Sequence, residues 1–597
     1  MASSLATAKG LSWKSLYHVL KKFNFGNDLP LFLLTRTSLF RLVLLFIKSA
    51  TLSSVIRESI EKAVTEALAA LGATDVSFVV ERPGSFEHGD YATNAALALG
   101  KLLKKNPKEV AETLKKELEN KIEGIKKVEV AGAGFVNFTL AGNTIKDIVH
   151  EAHEKKWGSN DLYKNKTVMV EYTDPNPFKE FHIGHLMSNA IGESIARVLE
   201  CSGAKVIRAN YQGDVGPHVA KAIWGKMQKP EMSWGEVYVY GTEQYETHKE
   251  EIDAINKKVY ERSDPEINSL YDLGRKLSLE HFEELYKILG TKFDFYFFES
   301  ESGPIGLKVV KKHTKVFEES EGAIIFRGEK YGLHTRVFVN KLGLPTYEAK
   351  DLGLAELKKD KATFDTSITI TASEQTEYFK VVMAALMQVH PEWEGQFTHV
   401  SHGMMRFAEG KMSSRKGNVI TGESLLIDLK VAAKEKMKER KIEDTEKIAE
   451  QVAVGAIKYA VLKQGSGKDI VFDPEKSLSL EGDSGPYVQY ALVRARALLR
   501  NAASANVISP QPAGPMPVER LIIHFPEVVE RAATELEPHY VTTYLTELAS
   551  TFNSWYASER MIVDGTITSR ALAVVKAIEN TLAKGLQVLG IPVPEEM

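Results

Sequence analysis

Apolar residues recur at helical spacing as soon as the chain reads as folded. Between Ser53 and Leu71, the residues Val55, Ile56, Ile60, Val64, Leu68 and Leu71 fall mostly three or four apart, and Gly72 follows as a stop, which predicts a helix. Beyond it, "DVSFVVER" and "VEVAGAGFVNFTL" have the character of strands, with an Ala-, Leu- and Lys-rich helical stretch between them. Residues 52–142 therefore predict a small α+β domain, left through a helical tether, "TIKDIVHEAHEKKW". Next, "KTVMVEYTDPNP" is an apolar strand stopped by prolines, and "FHIGHLMSNAIGESIARVLE" runs into a helix with Met187, Ala190, Ile191, Ser194, Ile195 and Val198 on one face. Gly203 and the strand "KVIRAN" complete a βαβ unit. Residues 143–424 thus predict an α/β domain on a parallel sheet, with the less regular 235–340 as insertions. From 425 to 597 the pattern is almost wholly helical, as in "KIAEQVAVGAIKYAVLKQ", "PYVQYALVRARALLR" and "SRALAVVKAIENTLAKGLQVL", and predicts a separate bundle.

Composition adds limits. A chain of 597 residues, 44% of them hydrophobic, supports several ordinary cores. A net charge of −3 means that any contact with nucleic acid comes from local patches. The single cysteine, Cys201, excludes a disulfide framework and a cysteine-cluster zinc site. Residues 1–51 stand apart: the first fifty carry Lys9, Lys14, Lys21, Lys22, Arg36, Arg41 and Lys48 against Asp28 alone. Arg36 and Arg41 cut the apolar run there into pieces shorter than the roughly 20 residues a bilayer requires, so no membrane span is predicted. The segment reads as an organellar targeting extension or as an upstream stretch outside the native protein.

The candidate chemistry begins with His182 and His185, either side of Gly184. At the carboxyl end of a parallel strand, where a helix begins, amides and the helix dipole favour anions, and imidazoles there can donate to a phosphate. Gly184 would let a flat base or ribose approach the backbone. Capping histidines and a metal pair remain open, although no third ligand stands at a helical zinc offset. A second cluster, "GKMSSRKGNVI" from Gly410 to Ile420, is glycine-bounded and rich in hydroxyls and cations, as expected either of a loop that grips phosphates or of a solvated charged loop.

Together, in this order, "HIGH" and "KMSSR" resemble the paired signatures of class I aminoacyl-tRNA synthetases. "VEYTDPNPFKEFHIGHL", "NYQGDVGPH", "LPTYEAKDLGLA", "ASEQTEYF", "GSFEHGDYATNAALAL", "KDIVFDPEKSLSLEGDSGPYVQYALVRA" and "LGIPVPEEM" narrow the resemblance to arginyl-tRNA synthetases, across nearly everything after Thr51. Two departures stand out: Ser414 replaces a lysine of the phosphate loop, and "DVGPH" lacks the family's usual tryptophan.

The resemblance implies a multidomain α/β fold: a Rossmann-like catalytic domain with insertions, an amino-terminal α+β tRNA-binding domain and a carboxy-terminal all-α anticodon-binding domain. It implies a ligase that joins arginine to ATP as arginyl-adenylate and passes it to the 3′-terminal adenosine of tRNA(Arg), releasing AMP and pyrophosphate. ATP would enter with Mg2+, and no zinc is expected. His182, His185, Lys411, Arg415 and Lys416 would carry the catalytic electrostatics. Lys179, Gly184, Met412, Ser413 and Ser414 would join the two histidines around ATP, while Glu171, Asn176, Tyr347, Asp351 and Gln375 would bind arginine. A guanidinium needs acceptors set around its fork, and Tyr347 and Asp351 share a face if a helix begins at Thr346. Tyr544, Trp555 and Tyr556 would offer stacking surfaces to anticodon bases, and Phe86, His88, Asp90, Tyr91 and Asn94 would meet the outer corner of the tRNA. A monomer in the cytoplasm is expected, or in the mitochondrial matrix if residues 1–51 are a targeting segment. Two other readings are open here. One is a nucleotidyltransferase acting on alcohol phosphates, which shares the His-x-Gly-His loop but is usually smaller and lacks the helical end. The other is a tRNA-binding paralogue without catalysis.

Overall fold

A computed structural model describes residues 51–408, 420–438, 443–511 and 513–597. The extension up to residue 50 and the expected phosphate loop, with Lys411, Met412, Ser413, Ser414, Arg415 and Lys416, lie outside the described residues.

Helix α1 (Leu52–Ala70) buries Ile56, Ile60, Val64 and Leu68, the face that their spacing brings together. Thr51 Oγ1 caps it by accepting from Ser54 N at 3.3 Å, so Thr51 belongs with the helix. Strands β1 (Val80–Glu81), β2 (Tyr91–Thr93), β3 (Ile125–Ala131) and β4 (Phe135–Leu140) form an antiparallel sheet in the order β1-β2-β4-β3. Helices α2 (Ala95–Leu103) and α3 (Pro107–Leu118) pack against it. "DVSFVVER" contributes only two strand residues, because Val79 N donates to the Asn94 side chain at 2.9 Å instead of to a ladder partner. The tether is shorter than its pattern predicts: α4 (Gly142–Glu151) ends six residues before Trp157.

The catalytic region opens with β5 (Thr167–Glu171), α5 (Ile183–Cys201) and β6 (Lys205–Gln212), the expected βαβ unit. Helices α6 (Pro217–Gln228), α7 (Trp234–Glu243), α8 (Lys249–Glu261) and α9 (Pro265–Leu289) gather largely around a core of their own. Then follow β7 (Phe295–Phe298), α10 (Glu299–Lys312), an antiparallel sheet of β8 (Glu318–Ser320), β9 (Ala323–Phe326) and β10 (Arg336–Val339), and α11 (Tyr347–Lys361). Strand β11 (Thr366–Ala372), α12 (Thr376–Val389) and β12 (Phe397–His402) complete the domain. The main sheet is parallel throughout, in the order β12-β11-β5-β6-β7. Two expectations change. Residues 235–340 are not all insertion, since β7 forms an edge of this sheet. Helix α5 is not one-faced: it is buried without a break from His185 to Ala196, because the sheet covers one side and carboxy-terminal helices the other.

Strand β13 (Met405–Phe407) pairs with β14 (Ile470–Phe472). Around that link come α13 (Gly422–Lys436), α14 (Thr445–Leu462), α15 (Pro474–Ser477), α16 (Gly485–Ala502), α17 (Pro517–Ile522), α18 (Phe525–Glu535), α19 (His539–Ser558) and α20 (Ser569–Val588), with a small pair of β15 (Asn506–Ile508) and β16 (Thr566–Thr568). One apolar core runs from α1 through α5 to α20. Polar contacts tie its ends: Arg57 to Glu530 at 2.7 Å, Arg520 to Asp90 at 2.6 Å, and Tyr91 Oη donating to Glu527 at 2.6 Å. Asp90 and Tyr91 are thus buried against the helical region and do not offer themselves to an RNA corner. Tyr544 is buried too, its hydroxyl donating to Leu521 O at 3.1 Å, which removes it as a stacking surface; Tyr556 remains exposed.

Candidate active site

Strand β5 lies inside the sheet with β6 on one side and β11, far along the chain, on the other, and at such a switch point the carboxyl ends leave a crevice. Just past β5 the backbone is strained. Thr173 takes φ 80° and Asp174 φ 48°, a region that a β-branched residue adopts only when its surroundings impose it. Those surroundings are visible. Thr173 N donates to Ser188 Oγ at 3.0 Å, Asn189 Nδ2 donates to Thr173 Oγ1 at 3.0 Å, and Asp174 Oδ1 accepts from Tyr211 N at 2.7 Å. Ser188 Oγ in turn donates to Ile370 O at 3.0 Å, so α5 holds both the strained turn and β11.

The histidine pair is both a cap and a cleft wall. His182 occupies the N-cap of α5, where its Nδ1 accepts from Gly184 N at 3.1 Å, and His185 Nδ1 accepts from His182 N at 3.2 Å. A ring that accepts at Nδ1 carries its proton, when neutral, on Nε2. Burial holds His185 well below the usual imidazole range, with the neighbouring His182 and Lys179 adding to it, and the same causes lower His182 through burial and Lys179. The two rings stack with centroids 3.5 Å apart. The site therefore presents two neutral imidazoles, each with one N–H to give. Gly184 has a reason beyond ligand approach: a Cβ there would stand 3.0 Å from His182 Cε1, against the capping ring.

A cleft of about 550 Å³ lies in front of these histidines. It brings together Glu171, Asn176, His182, Gly184, His185, Tyr347, Asp351 and Gln375, every described candidate except Lys179. Lys179 stands beside it, its Nζ 5.1 Å over the Tyr238 ring. Tyr347 and Asp351 share a face of α11, which follows the N-cap Thr346. Gly213 leaves room for Asn176, since a Cβ there would fall 2.3 Å from Asn176 Oδ1.

Five acids line the cleft: Glu171, Asp174, Glu299, Asp351 and the exposed Glu374. Two are already paired within the protein, Glu171 with Lys358 at 2.7 Å and Glu299 with Lys350 at 2.5 Å. Asp174 and Asp351 carry the strain of crowding. Burial, reinforced by Glu171, raises Asp174 well above the usual carboxylate range. Burial also pushes Asp351 up to about 7, with a hydrogen bond from Tyr378 opposing it and Glu171 and Glu299 adding to it. Such a site is set to receive positive charge, because a cationic ligand relieves both acids.

Sequence reasoning missed Asp174, Ser188, Glu299 and Tyr378. Three of them had a local signal: Asp174 sits inside "TDPNP", Glu299 directly follows the strand "FYFF", and Tyr378 lies one helical turn after Gln375. Among the described residues, no group of three or more His, Cys, Asp or Glu side chains is placed to hold a metal ion, and no helix is long and apolar enough to cross a membrane.

Comparisons with known proteins agree along the chain. Family models match in three places: the catalytic domain of class I tRNA synthetases (R) over residues 147–474, the arginyl-tRNA synthetase N-terminal domain over 54–140, and the DALR anticodon-binding domain over 488–597. The arginine–tRNA ligase of Clostridioides difficile is 31% identical over 569 residues, covering 90% of this chain and 99% of that protein. That of Clostridium perfringens is 30% identical over 551 residues, covering 88% and 96%. The arginyl-tRNA synthetase structure from Thermus thermophilus superposes with a TM-score of 0.74 at 25% identity, covering 91% of this chain and all of that one. From its amino-terminal sheet to its carboxy-terminal bundle, the chain belongs to the arginyl-tRNA synthetase family of class I aminoacyl-tRNA synthetases.

Proposed function

We propose that the chain ligates arginine to tRNA(Arg) in two steps, and that the acidic cleft in front of His182 and His185 is where both occur. Arginine would enter with its guanidinium toward Asp351, Tyr347 and Gln375, where a charged acceptor and neutral polar groups surround the fork. Asn176, with Glu171 held by Lys358, would fix the other end. ATP enters as its magnesium complex, a substrate. The arginine carboxylate attacks the α-phosphorus, the bond to the β-phosphate oxygen breaks, and pyrophosphate leaves. The ribose hydroxyl of the tRNA's 3′-terminal adenosine then attacks the mixed anhydride and AMP leaves, carrying the electron pair of the broken acyl–oxygen bond.

The observation that supports this most is the meeting, inside one cleft, of two neutral N–H donors with Asp174 and Asp351, acids that burial raises and that make no ion pair with a lysine among the described residues. Neutral imidazoles can donate to charge that develops on a phosphate without exchanging protons with it, so positioning and electrostatics carry the rate. Lys179, Lys411, Arg415 and Lys416 would add positive charge around the polyphosphate, with Gly184, Met412, Ser413 and Ser414 shaping the ATP site. A monomeric enzyme is the assembly proposed. Protein synthesis in the cytoplasm is the setting that fits, with the mitochondrial matrix as the alternative if residues 1–51 direct import. Charging of unfractionated tRNA with each of the twenty labelled amino acids tests the reading. Arginine alone should be incorporated, and another preferred amino acid, or none, would overturn it.

A further inference from the structure

Asp351 is crowded from every side. Glu171 faces it from β5, Asp174 from the turn beyond, Tyr211 from β6 and Glu299 from the start of α10, with Lys358 as the cation on its own helix. From the first turn of α12, Tyr378 donates its phenol to Asp351 Oδ2. Tyr378 is itself fixed from the other side: the Arg336 guanidinium lies 5.4 Å over its ring and is tied to Glu348 at 3.2 Å. Both Tyr378 and Asp351 line the cleft.

We propose that Tyr378 is a positioning residue for arginine: its phenol engages one oxygen of Asp351, favours the charged form of that carboxylate and holds it turned, so that the guanidinium meets a charged acceptor of fixed orientation. The inference rests on Asp351 reading the arginine. A hydrogen bond to the charged form of a carboxyl favours that form. Burial and the neighbouring acids push the other way and raise Asp351 to about 7 even with the phenol in place, so without it most of the population would be protonated at neutral pH. Arginine would then encounter a neutral acid that offers it a donor.

The test is steady-state tRNA charging with arginine varied at saturating Mg-ATP, across about pH 6.5 to about pH 9, for the native enzyme, Tyr378→Phe, Asp351→Asn and the double variant. Ratios to native at each pH cancel titration of the substrate. Tyr378→Phe should raise the arginine KM about fivefold at about pH 7, more at the acid end, and recover toward native at the alkaline end, as an upward shift of about one pH unit in the controlling acid requires. Its KM for ATP should stay within about twofold of native, and in the Asp351→Asn background the same change should add less than about twofold with no pH dependence. A KM ratio that is flat with pH, or a parallel rise for ATP, would reduce Tyr378 to packing. If Asp351→Asn does not impair arginine selectively, the reading of Asp351 fails and this inference with it. If it does impair arginine while Tyr378→Phe leaves the pH profile unmoved, only the role of Tyr378 is lost.

Discussion

Asp351 and His185 show how one side chain can do two jobs. Asp351 lies near the point of titration, so its charge is available to a ligand that completes its surroundings. Replacing it with asparagine removes that charge and turns an N–H2 toward the donors of the guanidinium. Hydrogen bonds to a charged group are worth about 1.5 to 3 kcal/mol, so Asp351→Asn should lower kcat/KM for arginine at least about tenfold while sparing ATP. Lysine should not gain, since its compact ammonium does not span a fork. Kinetics with the two substrates varied separately decide this: equal losses would mean that Asp351 supports the fold. His185 accepts from the N-cap backbone and lines the cleft, so His185→Ala should slow adenylate formation by about 10²- to 10³-fold, the usual loss for one donor to developing charge. Arginine affinity should change little. A rate within about twofold of native would remove His185 from the chemistry.

At the scale of elements, α5 is the part on which the site hangs. It caps itself with the two histidines, holds the strained turn through Ser188 and Asn189, and meets β5 at Gly192, where a Cβ would stand 2.2 Å from the Tyr172 ring. Gly192→Ala forces that buried ring aside. Overpacking of this kind costs about 1 to 3 kcal/mol, and because Tyr172 sits between Glu171 and Thr173 the arginine KM should rise with the loss of stability. Thermal melting together with arginine kinetics checks the pair of effects; an alanine variant that melts and binds like the native protein would show that the ring yields freely. The same helix marks what the sequence could reveal. His182, His185 and Gly184 are contiguous, and Tyr347 and Asp351 are one turn apart, so local spacing exposes them. The Lys358–Glu171 and Lys350–Glu299 pairs and the phenol on Asp351 join separate elements, and no local period encodes them. The all-round burial of α5 was illegible for the same reason: it is made by helices more than two hundred residues away.

At the scale of the whole molecule, Lys458 shows how distant elements are fastened. Fully buried on α14, its ammonium donates to Leu289 O at 2.6 Å, at the end of α9, and to Gly590 O at 2.8 Å, just beyond α20. Arg197 on α5 works beside it, donating to Gln587 O at 3.3 Å and to Gly290 O at 3.0 Å, and pairs with Glu193 at 2.6 Å. Two helix ends thus place their carbonyls on cations, the polarity that the helix dipole favours. Replacing Lys458 with methionine keeps the apolar stem and strands both carbonyls, at about 1 to 3 kcal/mol. The pH dependence sharpens the test. Burial lowers Lys458 from 10.5 to about 8 in the folded protein, with Glu193 opposing and Arg197 assisting. Between about pH 8 and about pH 10.5 the unfolded chain therefore binds more protons at this residue than the folded one does, and raising the pH favours folding. The stability difference between native protein and Lys458→Met should widen with pH, by roughly 1 kcal/mol from about pH 8 to about pH 9, measured by denaturant unfolding at matched ionic strength. A difference that stays constant over that range would mean that the ammonium keeps its proton against burial, and that the carbonyls hold it more tightly than the desolvation that lowers it.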